Sequence, residues 1–302
     1  SGLMPTFGRV PNAGCVPLGF SLDHIGPLAR SARDCGAMLA AFAGPDPRDA
    51  YAVDRPVDDY LSGLTGALAG VRIAVDRAAR SDGPLKGVRI GVDRANHFGD
   101  PREDPAARPA FEAAVEALTA LGAEVVEVEL PLHAETLAAL WATMVCEALA
   151  YHRDDLAARW GEYFAATRGM VALGALFSAA DYVQAQRVRR VAQRALAELF
   201  GDVDVIATPT ATAVAPTYEA LEAGGVGELM GTIHTSYWDA VGNPVLVVPM
   251  GFNAGGLPLS LQLAGRPFEE ALLVRTGDAF QQATDWHLRV PPLVTPDLVR
   301  SA

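Results

Sequence analysis

The sequence predicts an α/β fold, a mixed sheet flanked by helices, in a chain long enough for one large domain or two small ones. Three observations carry this. Short β-branched runs alternate with longer stretches of helical periodicity along the chain. VDVIATPT (Val203 to Thr210) is a continuous apolar run closed by proline, the pattern of a strand buried on both faces. NPVLVVPMGF (Asn243 to Phe252) and LPLSLQLAG (Leu257 to Gly265) are two strand-like runs joined by NAGG, which reads as a hairpin.

The elements follow in order. SARDCGAMLAAFAG (Ser31 to Gly44) reads as a helix with Ser31 as N-cap, Asp34 in the capping-box position and Gly44-Pro45 as the stop. Residues 45–69 are rich in Pro, Asp and Gly and read as surface connection. GVRIAVDRA (Gly70 to Ala78) recurs as GVRIGVDRA (Gly87 to Ala95), a local duplication; the second copy is expected to hold the strand. A helix follows from about Asp104 to Leu121, with Ala110, Val115, Leu118 and Leu121 as its apolar stripe. AEVVEVEL (Ala123 to Leu130) alternates Val with Glu and reads as a strand with one wet face, ended by Pro131. Residues 132–200 read as several helices broken near Gly161, Gly169 and Gly174. A last helix is expected from about Phe268 to Thr284.

Composition narrows the function classes. Half of the 302 residues are hydrophobic and a fifth are charged, ordinary for a globular protein, and the net charge is −12. That charge argues against nucleic-acid binding, and no run of about 18 apolar residues suggests a membrane span. Cys15, Cys35 and Cys146 are scattered, without CxxC or paired histidines, so neither a disulfide framework nor a metal site is expected, and the default setting is the reducing cytoplasm. No dinucleotide fingerprint, Walker loop, HExxH or GxSxG occurs, and no cofactor is implied. The basic stretch RVRRVAQR, with Arg187, Arg189, Arg190 and Arg194, reads as the solvated face of a helix. The six histidines are isolated in sequence from Ser or Cys nucleophiles.

Longer motifs say more. The chain opens with GLMPTFGRV and SLDHIGPLAR, and closes with WDAVGNPVLVVPMGF, GLPLSLQLAGRPFEE and TDWHLRVPP. In this order they resemble segments of the amidase signature family that follow its catalytic Gly/Ser-rich run. The resemblance spans nearly the whole chain; about 45–200 matches mostly in pattern, and the mostly helical stretch at about 132–200 belongs to the part that varies in such enzymes. It implies hydrolysis of carboxamide C–N bonds: a serine attacks the carbonyl, and a second serine in a cis peptide relays its proton to a neutral lysine. Those three residues are expected upstream of Ser1, so the chain reads as the C-terminal portion of an N-terminally truncated amidase, with no catalytic residue of its own. Lys86, the one lysine, sits in the duplicated region and matches no motif.

The same resemblance brings the loop Ser21 to Pro27 and the segment Thr235 to Asn243 to the cleft. His24, Tyr237 and Trp238 are then the candidate substrate-pocket residues, while Pro27, Gly242 and Pro244 shape the backbone. Two departures stand out: Met4 replaces a lysine of the family motif, and Asp239 stands where Asn is commoner. The expected partner is a small carboxamide, together with the missing N-terminal half or a second copy covering exposed apolar surface. Two alternatives remain: the glutaminase (A) subunit of a tRNA-dependent amidotransferase, and a non-catalytic fragment that works by binding a partner.

Overall fold

The computed structural model describes residues 1–62, 64, 83–224 and 231–291. Its six-stranded mixed sheet contains β1 (Gly2–Met4), β2 (Arg89–Val92), β3 (Glu124–Glu127), β4 (Val205–Pro209), β5 (Val245–Phe252) and β6 (Pro258–Gly265). The spatial order is β1-β5-β6-β4-β2-β3. β2 runs parallel to β3 and β4, while β6 pairs antiparallel with both β4 and β5, and β1 pairs antiparallel with β5. The parallel half and the antiparallel half therefore meet at the β4–β6 seam.

The helices are α1 (Ala32–Phe42), α2 (Ala107–Ala120), α3 (His133–Arg159), α4 (Ala165–Leu173), α5 (Ala179–Leu199), α6 (Tyr218–Gly224), α7 (Ser236–Val241) and α8 (Glu270–Ala283). Leu39 of α1, Phe111 of α2 and Phe280 of α8 share one core with Val205, Ala207, Leu246 and Leu263 of the sheet. Leu196 of α5 and Trp238 of α7 share a second core with Ile206, Val245 and Ala264 on the opposite face. Successive residues of β4 thus enter different cores, which is why its run is apolar without alternation.

Local signals held at most element ends. Ser31 Oγ accepts from the Asp34 backbone N–H at 3.0 Å and caps α1. The hairpin closes as expected: Asn253 Oδ1 accepts from the N–H groups of Gly255 and Leu257, and Gly256 supplies the left-handed residue. The second repeat copy supplies β2, whereas the first lies outside the described residues.

The 132–200 stretch differs in one place. It breaks at a 3₁₀ turn over Trp160–Glu162 and again at Gly174, but Gly169 lies inside α4. No atom approaches the Cβ position of Gly169, so this glycine lowers helix propensity without interrupting the hydrogen bonds. In the helix expected over 104–121, Phe111 and Ala114 are fully covered, and Ala110 and Leu121 only partly so. β3 is an edge strand whose Val125 and Val126 are half-buried between exposed Glu124 and Glu127.

Candidate functional site

A cavity of about 780 Å³ lies over β1 and the opening halves of β5 and β6. Its walls are largely aliphatic: Leu3 and Met4 from β1, Val245 and Val247 from β5, Leu259 from β6, and Leu28 from the opening loop. The remaining wall comes from α7 and the residue before it. Thr235, Trp238 and Asp239 all border the cavity. Positions i, i+3 and i+4 share one face of a helix, so this short helix turns three side chains toward the same space. Gly242, at φ +78°, ends α7, its N–H bonding the carbonyl of Trp238 at 2.8 Å.

His24 borders the cavity next to Asp239. Its side chain is only 6 % exposed, with Nδ1 lying 2.5 Å from the Leu22 carbonyl oxygen and 3.2 Å from Asp239 Oδ1. Both neighbours are acceptors, so Nδ1 carries the proton, and in a neutral ring Nε2 is then an acceptor. That Nε2 is buried without a partner, as is the indole Nε1 of Trp238. The carboxylates of Asp23 and Asp239 also reach the cavity, but no lysine or arginine does among the described residues. Asp23 is committed to the backbone N–H groups of Leu18 and Gly19. Exposed Lys86 lies on the turn before β2, away from this cavity.

Tyr237 faces elsewhere, because neighbours in a helix point about 100° apart. It is buried, stacks on His133 at 5.6 Å and donates its hydroxyl to the Pro131 carbonyl at 3.0 Å. Burial pushes its phenol pKa well above the usual range. The structure thus brings His24 and Trp238 together and sends Tyr237 to a second cluster.

That second cluster gathers at the carboxyl ends of β2, β3 and β4. The His97 ring lies 4.8 Å from the His234 ring and 5.6 Å from that of His133. Asp93, directly after β2, accepts from Asn96 Nδ2 and from the backbone N–H of Leu130, and approaches His97 Nδ1 at 3.8 Å. Burial opposes ionisation of Asp93, yet these neighbours outweigh it and hold the carboxyl well below the ordinary carboxylate range. Burial, followed by the neighbouring His97 and His133 rings, lowers His234 to about 3, and burial lowers His133. Among the described residues, no group of three His, Cys, Asp or Glu side chains could hold a metal ion.

The loop carrying His24 is anchored by a buried polar network. Glu147 of α3 accepts from Ser21 N at 2.9 Å, Ser21 Oγ at 2.7 Å and the Tyr182 hydroxyl at 2.8 Å. Arg189 of α5 donates to Ser21 Oγ, the Ser21 carbonyl and the Ala240 carbonyl, each within 2.9 Å. Arg189, expected on a solvated face, is only 8 % exposed; Arg187, Arg190 and Arg194 do face water. It ties the Ser21 loop to α7, the two sides of the cavity.

Known proteins resemble the chain along most of its length. A family model described as Amidase matches residues 1–274. An amidase of Pseudomonas putida is 39 % identical over 296 residues, covering 96 % of this chain and 59 % of the relative. A glutamyl-tRNA(Gln) amidotransferase subunit of Roseiflexus sp. (strain RS-1) is 37 % identical over 316 residues, covering 97 % of this chain and 61 % of the relative. The chain therefore spans about three-fifths of the length of these relatives. Among solved structures, an inhibitor-bound vestigial complex tied to the origins of an s-triazine catabolic enzyme superposes with a TM-score of 0.77 at 29 % identity, covering 95 % of this chain and 59 % of that one. The glutamyl-tRNA(Gln) amidotransferase subunit of Thermotoga maritima gives 0.74 at 26 % identity, covering 93 % and 57 %. Motif order, sheet topology and these matches agree: the chain belongs to the amidase family.

Proposed function

We propose that this chain forms the acyl-binding part of a hydrolase acting on the C–N bond of small carboxamides. The observation that carries the reading is the cavity between the Ser21–Leu28 loop, α7 and β1. It is aliphatic, with a few converging polar groups, the general character of a small-molecule site. Thr235 and Ser260 border it, and each hydroxyl can both donate and accept. A carboxamide, which carries both a carbonyl and an N–H, complements hydroxyls of that kind.

The nucleophilic serine, its partner serine and the lysine base would come from outside these residues, in a longer protein or a partner chain. Two facts support this: the matched relatives extend well beyond the aligned region, and the described lining of the cavity has no lysine. The apolar rim, where Leu28 is 82 % exposed, would be covered by that missing part or by a second copy.

A second reading is the glutaminase (A) subunit of a tRNA-dependent amidotransferase, favoured by the relatedness to the Roseiflexus protein. The cavity fits it less well. Glutamine carries a carboxylate beside its ammonium, and the described lining offers no lysine or arginine to receive that carboxylate.

Ammonia release from neutral primary carboxamides tests the proposal, measured on the natural protein and on the 302-residue chain alone. Turnover is expected from the natural protein and none from the isolated chain. Turnover by the isolated chain would place the nucleophile within these residues. No turnover from either form, with binding to a partner protein instead, would favour the non-catalytic alternative.

A further inference from the structure

Asp239 is the feature of the cavity that hydrolysis of a simple amide does not need. Its side chain is 36 % exposed and opens onto a largely aliphatic space with no lysine or arginine among the described lining residues. The His24 ring fixes one of its oxygens. Arg189 lies close enough for the Asp239 charge to act on its guanidinium. Four of its five N–H donors go, however, to the carbonyls of Ser21 and Ala240, to Ser21 Oγ and to Gln186. Asp23, the other carboxylate at the wall, is likewise committed to backbone N–H groups. The cavity thus presents the half-exposed Asp239 carboxylate, one oxygen of which is held by the His24 ring.

We propose that Asp239, oriented by His24, is a specificity-determining residue that selects carboxamides bearing an ammonium group on the acyl chain. An ammonium brings three donors and a positive charge, the complement of a carboxylate on an otherwise aliphatic wall. A carboxylate-bearing amide would meet two carboxylates and is rejected. This inference rests on the carboxamide reading of the cavity and adds a charge preference to it.

Calorimetric binding to the full 302-residue chain tests it. The probes are 5-aminopentanamide, hexanamide (a methyl in place of the ammonium), the monoamide of adipic acid and pentylamine, each at millimolar concentrations. The ammonium amide is expected to bind about tenfold more tightly than hexanamide, about 1.4 kcal/mol. The acid should bind most weakly, and added salt should shrink the tenfold preference. Asp239→Asn, close to isosteric, should weaken the ammonium amide until it and hexanamide bind with about equal affinity. The salt series on the unmodified chain gives a second readout that needs no variant.

Equal affinity for the two amides, or a preference that survives Asp239→Asn, overturns the proposal while leaving the carboxamide reading intact. Binding of none of the four probes overturns it as well. If pentylamine binds as tightly as 5-aminopentanamide and the preference is lost in Asp239→Asn, charge selection is supported and the amide reading fails instead.

Discussion

Arg189→Ala is expected to destabilise the protein by about 3–5 kcal/mol, the typical cost of removing one member of a buried charged network. The change leaves the carbonyls of Ser21 and Ala240 without their donors, and buried Glu147 without the cation whose charge it meets. Burial already works against this guanidinium, lowering its pKa, while Glu147 and Asp239 support its charge. Arg189→Lys should fall between wild type and alanine, because an ammonium keeps the charge but cannot reproduce the fork that reaches three carbonyl and hydroxyl oxygens. Thermal unfolding is the measurement; for a chain of this size the alanine variant should melt about 10 °C lower. A midpoint unchanged from wild type would show that the network contributes nothing to stability.

Acid should weaken the fold well before the carboxylates titrate, through the histidine cluster. In the unfolded chain His234 and His133 take up protons as the pH falls through about 6.5. In the folded protein burial holds His234 neutral to about 3, and His133 is lowered too. The unfolded state therefore binds more protons across this window, so stability falls as the pH drops below about 6.5 and is flat above it. A group that titrates only when unfolded contributes at most about 1.4 kcal/mol per pH unit. Asp93 has the opposite charge type: its depressed pKa contributes stability above the ordinary carboxylate range, lost only at lower pH. The groups facing the cluster are Asp93, Asp100 and Tyr237, with His97 between the other two rings. Urea midpoints near pH 7.5 and pH 5 measure the effect, and His234→Gln should flatten the dependence. An equal midpoint at both pH values would contradict the assignment.

The parts of the molecule legible in the sequence are those decided within a few residues. Ser31 caps α1, the Asn253–Gly256 turn sets the β5–β6 hairpin, and the apolar run of β4 declares its double burial. Arg189 is misleading in sequence because three neighbouring arginines do face water; what buries it is Ser21, 168 residues away, and Glu147 beside it. The histidine cluster has no sequence signal either, since its members come together only where the ends of β2 and β4 meet α3 and the segment before α7. In the candidate site, resemblance points to His24, Tyr237 and Trp238, and helical geometry separates them. The spacing of Thr235, Trp238 and Asp239 could have shown that Asp239, not Tyr237, shares the face of Trp238.

The carboxamide reading turns on whether the cavity beside α7 receives an amide. Trp238 borders the cavity, so its indole N–H NMR resonance reports on a ligand seated there. The four tryptophans give four indole signals, and Trp238→Phe identifies the one that matters. Titration with hexanamide is expected to shift the Trp238 indole and His24 ring signals together, leaving those of exposed Trp160 in place. Saturating hexanamide that moves other residues while the Trp238 and His24 signals stay fixed would refute the carboxamide reading.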